Sequence, residues 1–329
     1  MSMIAGEQRD THGVVVICTK DRPREVERCC MTAHTASPNI PILVLDASTA
    51  GSTRHACESI ACRYKSSLNL IYRRAQQPGL ARQRNEAVGI CRELGVEVLH
   101  FIDDDTEVSH EYFDAIERRF CQEPTVMGIG GVILNQPSAN NFTIKRAFLL
   151  QSRRRGYVLR SGRNTVGQYP GARAADRVDW LSGCSMSYRI AVFDKAMFDD
   201  RLKGYSLGED LDFGFRLSRG HLLVLVVEPS ATCIHHLTPT ARDSMRAIAR
   251  QGTQSAQRWV SENRGLGLSR TAFWWATLGE ILLHTARWIL SDDTDALQQT
   301  LGILDGVVAI IRKSFPLSIR QRPGAVKGL

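Results

Sequence analysis

Apolar residues come in short unbroken runs along the first two thirds of this chain and in stripes spaced by three and four along the last third. The runs 13–19, 41–46, 68–72 and 96–102 are apolar almost throughout and rich in Val and Ile. That composition predicts strands covered on both faces, not strands with one wet side. Between them, 23–36, 54–64 and 79–95 read as helices, the first with Pro23 at a position where its missing N–H costs nothing. Strand and helix alternate four times, which predicts an α/β fold: a Rossmann-like, mostly parallel sheet flanked by helices. Beyond it, a helix is expected over 112–121, strands over 126–134, 178–189, 221–227 and 231–236, and a short helix after Gly208. Gly128, Gly130 and Gly131 should permit close approach across the sheet, and the small residues Ser182–Ser185 should let a ligand near the backbone. From about Thr240 only helices are expected. Trp274, Leu278, Ile281, Thr285, Trp288 and Ile289 share one stripe, and Leu297, Leu301, Leu304, Val308 and Ile311 another. Such stripes pack helices together or lay them on a membrane surface, while Arg270, Glu280 and Arg287 interrupt any spanning segment. The chain thus divides into an α/β domain over 13–238 and an appended helical region over 239–329.

One strand ends in an unusual way. The run reaching Phe101-Ile102 stops at Asp103-Asp104-Asp105. Alternation along a strand sends Asp103 and Asp105 to one side and Asp104 to the other. Two carboxylates on one side repel unless a cation lies between them, so the pair suits one hard divalent metal; a solvated acidic turn before a helix is the plainer alternative. Thr19 and Asp46 also stand at the carboxyl ends of their runs, where parallel sheets bind ligands. Further on, Glu209, Asp210 and Asp212 fill the first turn of a short helix, where acids offset the helix dipole and can also serve as a general base. His235 and His236 close the last strand, and one of them is a candidate third metal ligand beside the Asp-x-Asp pair.

Charge and cysteines narrow the class. The 329 residues carry a net charge of +8, and no acid lies between Glu123 and Asp176, where Lys145, Arg146, Arg153, Arg154, Arg155, Arg160, Arg163 and Arg173 all fall. This tract suits phosphate-bearing partners or an anionic membrane face, or is simply a solvated basic loop. Nine cysteines without a Cys-x-x-Cys pair exclude a zinc ribbon and a disulfide framework, leaving them as small core residues. The polar first twelve residues lack the apolar core of a signal peptide, so the expected compartment is the cytoplasm. No Walker A sequence is present.

Together, Ile17-Cys18-Thr19-Lys20-Asp21-Arg22, Asp46-Ala47-Ser48, Ala81-Arg82-Gln83-Arg84-Asn85, the Asp103–Asp105 triplet, Gly183-Cys184-Ser185, Gly208-Glu209-Asp210-Leu211-Asp212 and a downstream His resemble the family-two inverting glycosyltransferases of GT-A fold, over about 13–237. The resemblance implies a metal-dependent, inverting transfer of a sugar from a UDP-, GDP- or TDP-linked donor to a hydroxyl on a glycan, a lipid-linked glycan or a small molecule. Thr19 and Asp46 would line the nucleotide pocket, with Asp46 addressing the base, and Arg82 or Arg84 would approach the nucleotide or its phosphates. Asp103 and Asp104 would lie against the nucleotide. Asp103 and Asp105 would hold Mg²⁺ or Mn²⁺, with His236 or His235 completing the shell. Asp210, or secondarily Glu209, would be the catalytic base. Ala47 and Ser48 depart from the Asp-Asn-Gly-Ser pattern usual after the second strand, which leaves base selectivity open. A metal-dependent nucleotidyltransferase or phosphohydrolase would also use clustered Asp, but the loop after the first strand lacks the glycines such nucleotidyltransferases use. A non-catalytic nucleotide-sugar-binding protein is a third reading. Nucleic acid is not an expected partner. Peripheral contact with the inner face of a membrane is, through the last helices and the basic residues Arg312, Lys313, Arg320, Arg322 and Lys327.

Overall fold

The computed structural model of the chain describes residues 13–64, 67–136, 143–174, 176–202, 207–238 and 244–314. Arg320, Arg322 and Lys327, like the first twelve residues, lie outside that range. The first half follows the expected alternation: β1 (Gly13–Thr19), α1 (Pro23–Ala36), β2 (Ile42–Asp46), α2 (Ser52–Arg63), β3 (Leu70–Arg74), α3 (Leu80–Glu93) and β4 (Val98–Asp103). In α1 the buried residues Val26, Cys29, Cys30 and Ala33 form the single face that lies on the sheet. Then come β5 (Thr106–Val108), α4 (Tyr112–Gln122), β6 (Val126–Ile133), α5 (Thr143–Ala147), β7 (Met186–Arg189), α6 (Glu209–Phe215) and β8 (Val224–His235). The eight strands form one sheet in the order β3-β2-β1-β4-β7-β6-β8-β5. Pairing is parallel from β3 through β4 and between β6 and β8; β7 runs antiparallel to both its neighbours, and so does β5 to β8. Six of the nine cysteines are buried and none is disulfide-bonded.

Three differences from the sequence reading have local causes. The strand expected over 178–189 shortens to β7, because residues 182–185 turn: Ser185 N–H bonds the Ser182 carbonyl at 2.9 Å, and the buried Gln168 side chain accepts from Ser182 N–H and donates to the Ser185 carbonyl. The two strands expected over 221–236 are one, β8, since the polar stretch after Glu228 is absorbed as a slip in the β6 ladder, which jumps from Gly131–Glu228 to Val132–Thr232. Strand β5 was too short to carry a periodic signal. A Cβ at Gly128 would stand 2.6 Å from the Tyr188 ring, so the expected close approach across β6 is real.

The last helices are α7 (Met245–Glu262), α8 (Arg270–Ser291) and α9 (Thr294–Ser314), and much of the apolar stripe of α8 and of α9 is left exposed. In α9, Gly302 and Gly306 lie against α7, where a Cβ would meet the Arg246 carbonyl at 2.3 Å and the Arg250 carbonyl at 2.9 Å. Small residues bring the two backbones together, and Leu304, Val308 and Ile311 are turned outward, 41–51% exposed. Helix α8 buries Phe273, Ala276, Thr277 and Gly279 and exposes Trp274, Trp275, Leu278 and Leu282. Its buried side shares a core with the sheet domain through Val158, Trp180, Phe215, Trp259 and Val260.

Candidate active site

Parallel pairing aligns Cys18 with Asp103 and Thr19 with Asp46, so three strand ends open on one edge. Antiparallel pairing then sets His235 of β8 opposite Thr106 of β5, immediately after the triplet. The result is a donor set: single ligand atoms of Asp103, Asp105 and His235 all lie within 4.8 Å of one another. His235 Nε2 is 3.0 Å from Asp105 Oδ1 and 3.8 Å from Asp103 Oδ2. His236 points elsewhere, to Glu107 at 2.9 Å. Burial works against a charge on Asp105, but His235, the Thr238 N–H and Arg22 hold its carboxyl down at about 2. Burial likewise disfavours imidazolium, yet the hydrogen bond to Asp105 lifts His235 to about 11. The proton on His235 supplies the positive charge that the two carboxylates demand. Two oxygens and one imidazole nitrogen, half-buried at the sheet edge, fit Mg²⁺ or Mn²⁺ in that same place.

Asp104 faces the other way. Its carboxylate accepts from Thr19 Oγ1 at 2.7 Å and from Arg22 Nη1 at 2.6 Å, and burial raises its pKa to about 6. Arg22 also donates to the Thr238 carbonyl at 2.7 Å, tying the loop after β1 to the segment after β8. Arg22 was not singled out from the sequence; its place in the loop after the first strand was the available signal. Asp46 is fully buried, with its oxygens taken by Ser48 and, at 2.8 Å, by the Tyr72 hydroxyl. Gln83, given no role of its own in the sequence motif that contains it, bridges the Thr19 and Leu45 carbonyls at 3.1 and 2.9 Å and fixes the spacing of the β1 and β2 ends.

The two arginines of α3 part company. Arg82 bonds Gln77 at the surface. Arg84 is 2% exposed and binds Glu209 at 2.5 Å, Asp103 at 3.1 Å and the Gly183 carbonyl at 3.2 Å, so one guanidinium joins the metal-binding edge to the first turn of α6. A side chain at Gly183 would collide with it at 2.7 Å. Burial pushes the Glu209 carboxyl up, as does neighbouring Asp210, while Arg84 opposes both. Among the described residues Asp210 is held by backbone: Gly183 N–H donates at 2.8 Å and Leu211 N–H at 2.7 Å. Burial raises its pKa from the ordinary aspartate value, and Arg84 and those two N–H groups restrain the rise.

A cavity of about 480 Å³ covers this edge, bordered by Thr19, Arg22, Asp103, Asp105, His235 and Asp210. A second, of about 530 Å³, lies between α6 and the helices α7 to α9. Ser182, Leu207, Gly208 and Asp210 line both, whereas Glu209 borders only the first. The basic tract does not cover the first cavity. Arg163 reaches α8, binding Glu280 at 2.5 Å, and Arg154 and Arg155 lie on the Tyr157 and Tyr169 rings.

The sequence matches the model of Glycosyl transferase family 2 over residues 14–181 and that of Glycosyl transferase family group 2 over residues 98–304. No curated protein matches it significantly. Among solved structures, the fold is similar to the mannosyltransferase PcManGT from Pyrobaculum calidifontis in complex with GDP-Man and Mn²⁺, with 13% identity, a TM-score of 0.56, and coverage of 93% of this chain and 88% of that one. It is also similar to GalNAc-T7 with UDP, GalNAc and Mn²⁺, at 13% identity and a TM-score of 0.55; there 94% of this chain is covered but 59% of the other.

Proposed function

The chain belongs to glycosyl transferase family 2 and is a glycosyltransferase, and from that premise we propose that it moves a sugar from a nucleotide-diphosphate donor to an acceptor hydroxyl with inversion, Asp210 acting as base. The observation that carries this reading is that Asp210 stands in the wall common to both cavities, one ending at the metal-donor set and the other free for an acceptor. Residues 13–238 would carry donor and chemistry, and 239–329 would close the acceptor side.

In the proposed step the acceptor O–H gives its proton to Asp210 while its oxygen attacks the anomeric carbon from the face opposite the diphosphate. The bond to the diphosphate oxygen breaks with its electron pair, and no covalent enzyme intermediate is formed. An alcohol is far too weak an acid to attack unaided at neutral pH, so a carboxylate within reach is needed. Glu209 suits that role less well, because its charge is committed to the buried Arg84. Asp103, Asp105 and His235 would hold the divalent ion. When bound, the ion neutralises charge developing on the departing diphosphate. Arg84, bonded to Asp103, keeps one ligand in place; Thr19 and Arg22 hold Asp104, and Arg22 also pairs with Asp105 at 3.5 Å. The GDP-Man and Mn²⁺ bound in PcManGT, and the UDP, GalNAc and Mn²⁺ bound in GalNAc-T7, support the same pairing of cofactor and donor class.

A thermal-shift panel of UDP-, GDP-, TDP- and CMP-sugars tests this. One nucleotide class should raise the melting temperature by several degrees only with Mn²⁺ present, since ligand at 100 times Kd adds about 2.7 kcal/mol. No shift with any of them would refute the donor reading.

We extend the reading to the outward stripes of α8 and α9, proposed to lie on an anionic bilayer surface, on the inner face of a membrane. No helix among the described residues is long and apolar enough to cross one. Instead, exposed Trp274, Trp275, Leu278 and Leu282 sit beside α5, whose Ala147 carbonyl accepts from Trp275 Nε1 and which carries Lys145 and Arg146. Aromatic and apolar residues flanked by bases suit an interfacial helix. Sedimentation with vesicles containing phosphatidylglycerol should carry the wild-type chain down at low salt. The Leu278→Glu/Leu282→Glu variant should remain largely in the supernatant; equal partitioning of the two would count against this face.

A further inference from the structure

The second cavity has walls of a particular kind. Leu202, Leu207, Leu211, Met245, Ile248 and Ile303 give it a largely aliphatic lining. Its arginines are paired, Arg163 with Glu280 at 2.5 Å and Arg258 with Asp199 at 2.9 Å; Asp212 is held by Arg216 at 2.7 Å, and Asp210 is the remaining carboxylate of the lining. Such walls offer no uncompensated positive charge to a phosphate or a carboxylate. The volume of about 530 Å³ falls within the range of small-molecule sites.

We propose that this cavity receives the acceptor, and that the acceptor is a neutral amphiphile: a hydroxyl-bearing head at Asp210, and an aliphatic or aromatic body along the leucine and isoleucine wall. The proposal rests on the reading of Asp210 as base. A free polyhydroxylated glycan would strand hydroxyls against those aliphatic walls, and a diphosphate beside the acceptor hydroxyl would find every cation there already paired.

Gly252 of α7 offers a way to fill the space without touching the donor edge. It lines the cavity, and a Cβ there would stand 3.0 Å from the tip of Leu207, a flexible side chain able to give way. Binding of methyl, butyl, hexyl and octyl β-D-glucoside to the full chain would be measured by calorimetry below micelle-forming concentrations, with no donor present. Affinity should rise by about two- to fourfold per methylene, as burial of aliphatic groups requires. In Gly252→Leu the octyl compound should bind at least tenfold more weakly, while Mn²⁺-dependent nucleotide binding, which also reports that the variant is folded, stays as in wild type. A flat chain-length series, or an octyl affinity untouched by Gly252→Leu, overturns the proposal, the latter because the compound would then be sitting on the exposed faces of α8 and α9. Should the chain-length dependence and its loss in Gly252→Leu hold while no nucleotide binds with Mn²⁺, the cavity assignment stands and the donor reading falls; nucleotide binding with a flat series gives the reverse.

Discussion

Asp210→Asn is expected to lower kcat by about 10²–10⁴-fold, the usual contribution of a positioned general base, while Mn²⁺-dependent nucleotide binding stays near wild type. The substitution keeps the shape of the side chain. Of its two backbone hydrogen bonds, from Gly183 N–H and Leu211 N–H, an amide oxygen can keep one, and the amide NH₂ then faces a donor, a local cost of about 1–3 kcal/mol. That penalty is small beside a thousandfold rate loss, equivalent to about 4 kcal/mol at the transition state. The wild-type pH profile carries a second signature. Burial raises the Asp210 pKa in the unliganded protein, and the ionised form is the active one, so kcat/KM should fall as pH drops through a value above the ordinary aspartate range, and rise with pH to a plateau beyond it. Glu209→Gln is the contrasting variant. It leaves the buried Arg84 with Asp103 as its remaining carboxylate partner, and breaking a buried pair from one side costs about 3–5 kcal/mol of stability. Loss of melting temperature in Glu209→Gln and loss of kcat in Asp210→Asn would separate the two acids by role. Near-normal kcat in Asp210→Asn would remove Asp210 from the mechanism.

What the sequence disclosed and what it withheld divide along physical lines. Strands β1, β2 and β4 and helix α1 were legible because each is a local pattern: β-branched runs buried on both faces, or one apolar helical stripe behind a proline. Asp103, Asp105 and Asp210 were legible because acids that end apolar runs or open a helix are conspicuous. The distinction between His235 and His236 was not, for it depends on the register of β5 against β8, set by a three-residue strand with no periodicity of its own. The two arginines were left undistinguished too, although Arg84 falls on the buried stripe of α3 with Ala81, Val88 and Cys91 and Arg82 does not; that Arg84 reaches Glu209 through the core is shown by packing alone. The α9 stripe misled for a different reason. Regular leucines ordinarily mark the buried side of a helix, but here Gly302 and Gly306 supply the contact by bringing two backbones close, and the leucine side is left facing out. Periodicity reports that a helix has an apolar face; it does not say which face the rest of the chain will cover.

Asp105→Ala is expected to abolish the Mn²⁺-dependent part of nucleotide binding, raising the apparent Kd with Mn²⁺ by at least about 10²-fold, to the metal-free value, and to reduce turnover below detection. The reasoning is one of donor count: the set is Asp103, Asp105 and His235, and two remaining groups hold a hard divalent ion poorly. Asp105 is also buried against Arg22 and the Thr238 N–H, so its removal will cost stability as well, and lost binding alone would not distinguish a missing ligand from a loosened loop. Asp104→Asn resolves this. Asp104 is as deeply buried, bonds the same Arg22 and also Thr19 of β1, and is not one of the donor set. It should lower the melting temperature comparably yet keep the Mn²⁺-dependent shift. Histidine variants give the same contrast on the other strand: His235→Ala should lose the metal dependence, whereas His236→Ala, which removes a contact to Glu107, should retain it. If Asp104→Asn or His236→Ala lost the Mn²⁺ effect while Asp105→Ala or His235→Ala kept it, the ion would have to sit on the far side of β4, and the path from metal to Asp210 through the first cavity would have to be redrawn.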